Sequence, residues 1–284
     1  MTNRDHRQPD RSTRGRAAAD PFVGRVLLVD DNPSIRTMAA LFLRSLGWQV
    51  VEAKDGECAV GEALGTPFDL VLMDLNLPGV DGPEATRRIR AIPDGEASRV
   101  PIIGMTAANH DERRQDCLDA GMDDVIDKVS LMSAIPGLLR RFAGRTAAAV
   151  PDLRSPPPPP ANDLEARDTD LGLGELNCRL DLIGRDEMAR VFAGFSAQGT
   201  RHVAELGQAW REGRYGDAGA AAHRLAGGAA TFQMIGVHGL LIRLETALRR
   251  PIVDGGEVSG LLDRVARAWP PSVAAFERWL AAGP

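Results

Sequence analysis

The sequence predicts two folds in series: an α/β domain with a doubly wound, five-stranded parallel sheet, then an all-α helical bundle. Three observations lead there. In the N-terminal half, short apolar runs alternate with helical stretches five times, which implies a parallel sheet with helices on both faces. Past five consecutive prolines at 156–160 the strand signals stop, and long amphipathic segments follow, as an antiparallel bundle requires. The 284 residues are 44% hydrophobic and 26% charged, the balance of a globular chain long enough for two small domains.

Taken in order, residues 1–21 are polar, rich in arginine and aspartate and without periodicity, so a disordered tail is expected. RVLLVD, from Arg25, reads as a buried strand, and PSIRTMAALFLRSLG as a helix stopping at Gly47. WQVVEA is a strand and GECAVGEALG a helix. DLVLMD, VPIIGMT and DDVID are further strands, with helices near 82–91 and 112–120 and a last one over about 130–142. This domain is placed at 22–145. The proline-rich segment 146–172 is read as a stiff polyproline II linker, and the bundle occupies 173–284. Its helices are expected near 174–183, 186–212, 215–234, 237–249 and 257–269, with Pro270 and Pro271 breaking the pattern before 273–281.

A formal net charge of −5 argues against a surface built to track nucleic-acid phosphates. No apolar run is long enough to span a bilayer and no signal-peptide core opens the chain, so a cytoplasmic protein without membrane contact is expected. Cys58, Cys117 and Cys178 are too few and too scattered for a disulfide framework or a metal knuckle.

Polar residues stand where an open parallel sheet binds its ligands, at the carboxyl ends of the strands. Asp30 and Asp31 end the first strand, Asp74 the third and Thr106 the fourth, while Lys128 follows the fifth. Singly, each has a plainer reading: a helix cap at Asp31 or Asn32, a turn residue at Asp74, a solvated lysine at 128. At successive strand ends the five form a site. Three converging carboxylates repel one another unless a cation intervenes, and a hard ion such as Mg²⁺ suits them. Mg²⁺ with Lys128 could neutralise a phosphoryl group moving onto Asp74, with Thr106 donating a hydrogen bond to it.

The set VLLVDDN, LVLMDLNLPGVDG, PIIGMTA and DDVIDK resembles the receiver domain of bacterial response regulators, a flavodoxin-like fold. The resemblance implies that Asp74 is the phospho-acceptor and Asp31 a direct Mg²⁺ ligand. Asp30 would act through a bound water, and the backbone carbonyl of Asn76 would complete the protein ligands. Thr106 and Lys128 would contact the phosphoryl oxygens. Two positions depart from the family: Val125 stands where many receivers carry an aromatic residue, and Val129 where a proline usually follows the lysine.

In the bundle, Ala218, Ala222, Leu225, Ala229 and Phe232 are spaced four and three apart, one apolar stripe for a core. His223 falls just off that stripe, towards solvent, ringed by Gly219, Ala220, Ala226 and Gly227. The small neighbours leave the imidazole bare, so that another surface can approach it. Neutral imidazole is a nucleophile able to take and pass on a phosphoryl group. The plainer reading is a surface histidine whose neighbouring glycines permit tight helix packing. AHRLAGGAATFQMIG resembles the motif of histidine phosphotransfer (HPt) domains, with His223 aligned to the phosphorylated histidine. The family's lysine is here Ala226, its serine Gly228 and a later glycine Gln233.

The expected function is a two-component phosphorelay protein that is a phosphoryl carrier, with no kinase domain. A phosphoryl group from a sensor histidine kinase would reach Asp74, and His223 would exchange phosphoryl with a receiver aspartate, its own or that of another receiver. The alternative is a phosphorylation-gated binding switch whose helical domain has lost its chemistry.

Overall fold

The computed structural model describes residues 23–93, 95, 97–106, 110–142 and 170–282. The tail at 1–21 and the linker up to residue 169 lie outside the described residues. The α/β domain runs β1 (Arg25–Val29), α1 (Pro33–Ser45), β2 (Gln49–Ala53), α2 (Gly56–Gly65), β3 (Leu70–Asp74), α3 (Gly82–Arg90), β4 (Ile102–Thr106), α4 (His110–Asp119), β5 (Asp124–Asp127) and α5 (Leu131–Phe142). All strand pairings are parallel, in the order β2-β1-β3-β4-β5. The doubly wound sheet expected from the alternation is therefore present.

Strand residues alternate between two cores. Val26, Leu28, Leu70, Leu72, Ile103 and Met105 meet α1 and α5 on one face. Leu27, Val29, Val71, Met73 and Ile102 meet α2, α3 and α4 on the other. Both faces are covered, which is why these strands read as unbroken apolar runs. Caps set the helix starts: the Asn32 side chain accepts from the Ser34 N–H at 2.9 Å ahead of Pro33, and Asp55 accepts from Cys58 N–H at 2.8 Å.

The second domain comprises α6 (Leu173–Ile183), α7 (Arg185–Arg211), α8 (Tyr215–Thr231), α9 (Ile235–Leu248) and α10 (Gly255–Ala282). Phe192, Phe195, Phe232, Trp269 and Phe276 form its aromatic centre, with Phe192 stacked on Phe276 at 3.9 Å between centroids. The break expected at Pro270 and Pro271 does not occur: α10 runs straight through both. Both prolines lie on the exposed face, as do Ala266 and Arg267, whose carbonyls lose their bonds. On that face solvent can satisfy the carbonyls, while Ala268, Trp269, Ser272 and Phe276 hold the helix to the core.

The two domains are docked. Helix α1 lies between the sheet and α6, α7 and α8 of the bundle. One hydrophobic cluster extends from Ile35, Met38 and Phe42 into Leu176, Phe195 and Ala226. No helix among the described residues is long and apolar enough to cross a membrane.

Candidate functional site

The acidic site is built at the carboxyl end of the sheet. Asp30 follows β1, Asp74 is the last residue of β3, and Thr106 the last of β4. Lys128 follows β5 and opens a short 3₁₀ turn, while Thr106 lies in register with Asp127. One carboxylate oxygen each from Asp30, Asp31 and Asp74 lies within 4.8 Å of the others. Lys128 Nζ stands 2.8 Å from both Asp30 Oδ2 and Asp74 Oδ2, and all three side chains are buried. Backbone amides fix the carboxylates: Asn32 N–H donates to Asp30 Oδ1 at 2.9 Å, and Asn76 N–H to Asp74 Oδ1 at 3.2 Å.

The charges are strained against one another. Burial, followed by the neighbouring Asp74 charge, pushes the Asp30 carboxyl up to about 7 despite the attraction of Lys128. Burial and Asp74 likewise raise Asp31, against the opposing charges of Lys128 and Arg224. Burial disfavours the Lys128 charge, but Asp30 and Asp74 outweigh it and hold the ammonium above its ordinary value.

His223 is not bare. Its residue is only 7% exposed, because the α/β domain covers the face expected to look into solvent. Helix α8 is consequently buried nearly all round rather than along one stripe. Asn76 Nδ2 stands 3.3 Å from His223 Nε2, and Glu245 Oε1 lies 3.1 Å from Nδ1. Burial works against the Glu245 charge, but the His223 hydrogen bond and the charges of Arg249 and Lys128 hold the carboxyl below its ordinary range. An ionised carboxylate only accepts, so the proton sits on Nδ1. Nε2 is left as the ring's lone-pair nitrogen, facing the loop that follows Asp74. Asp31, Asn76, Asp81, His223, Arg224 and Arg249 share the wall of an open cleft of about 420 Å³ between the domains.

The two adjacent glycines have different tasks. A Cβ on Gly227 would come within 2.7 Å of Ile35 Cδ1 in α1, so this glycine admits the other domain. A Cβ on Gly228 would come within 2.2 Å of the Phe195 ring, so that one serves packing inside the bundle. Ala226 is wholly buried at the same contact. Val125, one of the receiver's two departures from its family, is buried beside Gly104 and Met122.

Three residues that the sequence reading did not assign to this site shape it. Glu245 holds the imidazole. Its signal was an acid four residues beyond Leu241 on the otherwise apolar stripe Val237, Leu241, Leu244 and Leu248. Asn32, besides capping α1, donates from Nδ2 to the Arg224 carbonyl at 2.9 Å. Arg249 forms an ion pair with Glu245 at 2.5 Å. The last two are ordinary helix-cap and helix-end residues in sequence; docking gives Asn32 its partner, while Arg249 pairs with Glu245 one turn back on the same helix.

Comparison with known proteins finds two families along the chain. The response regulator receiver domain family matches residues 26–139, and the Hpt domain family residues 190–270. The virulence sensor protein BvgS of Bordetella parapertussis is 29% identical over 261 residues, covering 90% of this chain and 21% of that protein. The CAI-1 autoinducer sensor kinase/phosphatase CqsS of Vibrio cholerae is 43% identical over 104 residues, covering 37% of this chain and 15% of that protein. The chain thus spans about a fifth or less of these curated relatives' lengths. The receiver domain of a sensor histidine kinase from Pseudomonas aeruginosa PAO1, solved with magnesium in its active-site cleft, is 41% identical, with a TM-score of 0.40 over 43% of this chain and 98% of that one. With the acid-bearing sheet in the first matched segment and the histidine-bearing helix in the second, this chain joins a response regulator receiver domain to an Hpt domain, two phosphotransfer modules of two-component phosphorelays.

Proposed function

We propose that this chain is a phosphoryl carrier of a two-component phosphorelay, in which Asp74 and His223 exchange a phosphoryl group within the docked pair. The observation that carries this reading is the orientation of the imidazole. Glu245 holds Nδ1, and Nε2 points at Asn76, two residues beyond Asp74, across a cleft shared by both domains. A sensor histidine kinase is the proposed source, its phosphohistidine giving phosphorus to an Asp74 carboxylate oxygen as the P–N bond breaks. In the second step the Nε2 lone pair attacks phosphorus, the P–O bond to Asp74 breaks, and its electron pair returns to the carboxylate. The Nδ1 proton remains shared with Glu245, which stabilises the positive ring that forms. Lys128 and Thr106 are assigned to the phosphoryl oxygens, Lys128 by charge and Thr106 by its hydroxyl. The exchange is reversible in this scheme, and other receivers are alternative acceptors of the His223 phosphoryl group.

The donor set fits Mg²⁺. Three carboxylates converge within 4.8 Å, and Lys128 supplies one positive charge against their three negative ones. Asp30, Asp31, Asp74 and the backbone carbonyl of Asn76 would hold the ion. When bound, Mg²⁺ neutralises charge on the transferring phosphoryl oxygens.

The test is to label the full chain with a small acyl phosphate donor and resolve the two kinds of product by their stability. Acid-labile, alkali-stable label that disappears in His223→Ala supports transfer to the histidine. Label confined to Asp74 in the wild-type chain favours a binding role for the bundle.

A further inference from the structure

Helix α8 ends in an energetically unfavourable conformation at the point where it meets the receiver. Gln233 N–H donates to the Ala230 carbonyl at 3.1 Å, and Met234 N–H to the Ala229 carbonyl at 2.9 Å. This pair of bonds closes a helix through one residue in the left-handed region, where glycine carries no steric penalty. Here the residue is Gln233, with φ of 51°. Among the described residues every other position with positive φ is a glycine: Gly47, Gly79, Gly121, Gly184 and Gly213. Within the bundle the Gln233 side chain packs beside Gly172 and makes one long polar contact, to Ala230 O.

The shorter polar contact is to the other domain. The Gln233 side chain is buried, and its Nε2 donates to the backbone carbonyl of Val129 at 3.0 Å, with a longer contact to Ala230 O at 3.3 Å. Val129 directly follows Lys128 in the turn after β5. Further along the same helix, Asn32 bonds the Arg224 carbonyl, and Ile35 lies over Gly227. Two polar contacts thus fasten the two ends of an apolar seam. Gln233 is the one that bears a backbone penalty to take part.

We propose that Gln233 is a positioning residue that latches the bundle onto the receiver of the same chain, through the hydrogen bond to Val129. The contact reaches a main-chain carbonyl placed by the turn that presents Lys128. The latch concerns the docking that the proposed phosphoryl exchange uses, and rests on that reading only for its purpose.

Its test needs no phosphoryl transfer. In the full chain, the rate at which diethyl pyrocarbonate modifies His223 reports how often the docked pair opens, with His238 as the internal reference in the same digest. Gln233→Gly removes the amide and relieves the left-handed backbone. Modification of His223 is expected to speed up by about two- to tenfold, the equivalent of one neutral hydrogen bond. The thermal midpoint should hold or rise, since glycine suits that backbone. Gln233→Glu keeps the length but sets an acceptor against the Val129 carbonyl, and should open the pair at least as much. An unchanged His223 rate in Gln233→Gly, or a faster rate together with a lower midpoint, overturns the proposal. Failure of His223 to accept phosphoryl would sink the functional reading and leave this measurement standing.

Discussion

The acidic pocket and the histidine are built by different means. Asp30, Asp74, Thr106 and Lys128 owe their meeting to the topology of one sheet, with each residue at or just beyond a strand's carboxyl end. The imidazole of His223 has an environment assembled from two domains: Glu245 on one side from the bundle, Asn76 on the other from the receiver. The pocket is thus a property of a domain, the histidine site a property of a docked pair. It follows that damage to the pocket should act everywhere, while damage at the seam should separate one chemistry from the other.

The largest effect is expected from Asp74→Asn. Label on the receiver should vanish, and with it any label on His223, when the chain is offered a small acyl phosphate; acyl phosphate persisting in this variant would show that the pocket is elsewhere. Glu245→Gln should divide the two sites. Labelling of Asp74 should be unchanged, whereas passage to His223 should slow by about ten- to a hundredfold, the range of a hydrogen bond to a charged group. Equal rates would mean that the carboxylate does not set the tautomer.

The same carboxylate predicts a pH signature. Its folded pKa is depressed below the reference 4.5, net of an opposing burial effect. A depressed acid contributes stability above its unfolded pKa and loses it as pH falls through the lower folded value. The stability gap between wild type and Glu245→Gln should therefore be flat around neutrality and close only below about 4.5. Urea titrations at stepped pH measure this gap directly; a gap closing near pH 6 would point to another group.

Smaller effects come from the glycine pair. Gly228→Ala drives a methyl against the Phe195 ring and should cost the bundle about 1–3 kcal/mol. Gly227→Ala meets only the tip of Ile35, which is able to shift, while the helix gains about 1 kcal/mol in propensity. Its thermal midpoint should hold or rise even as the domains loosen. Opposite signs at neighbouring positions would sharpen the distinction between a domain's core and its docking face; a common sign would erase it.

The comparison also shows where the reading of the sequence succeeded and where it stopped. Strand-end acids were legible because a parallel sheet converts order along the chain into adjacency at one edge. The opposite held for His223, expected to look into water and found covered. Helical periodicity reports one face relative to one core, and is blind to a second surface arriving from residues about 190 positions away, such as Asn32 against Arg224. Pro270 and Pro271 misled for a related reason: local propensity predicted a break, but core packing on the opposite face carried α10 through it.

Sequence alone determined the two fold classes, the acids at the strand ends and the histidine among small neighbours. Each of these follows from local pattern, where spacing and chemistry act over a few residues. The tertiary structure decided that the bundle docks on α1, that Glu245 and Asn76 flank the imidazole, and that Gln233 bends its backbone to reach Val129. These contacts depend on shape and hydrogen bonding between surfaces distant in the chain, and no local spacing encodes which surface will meet which.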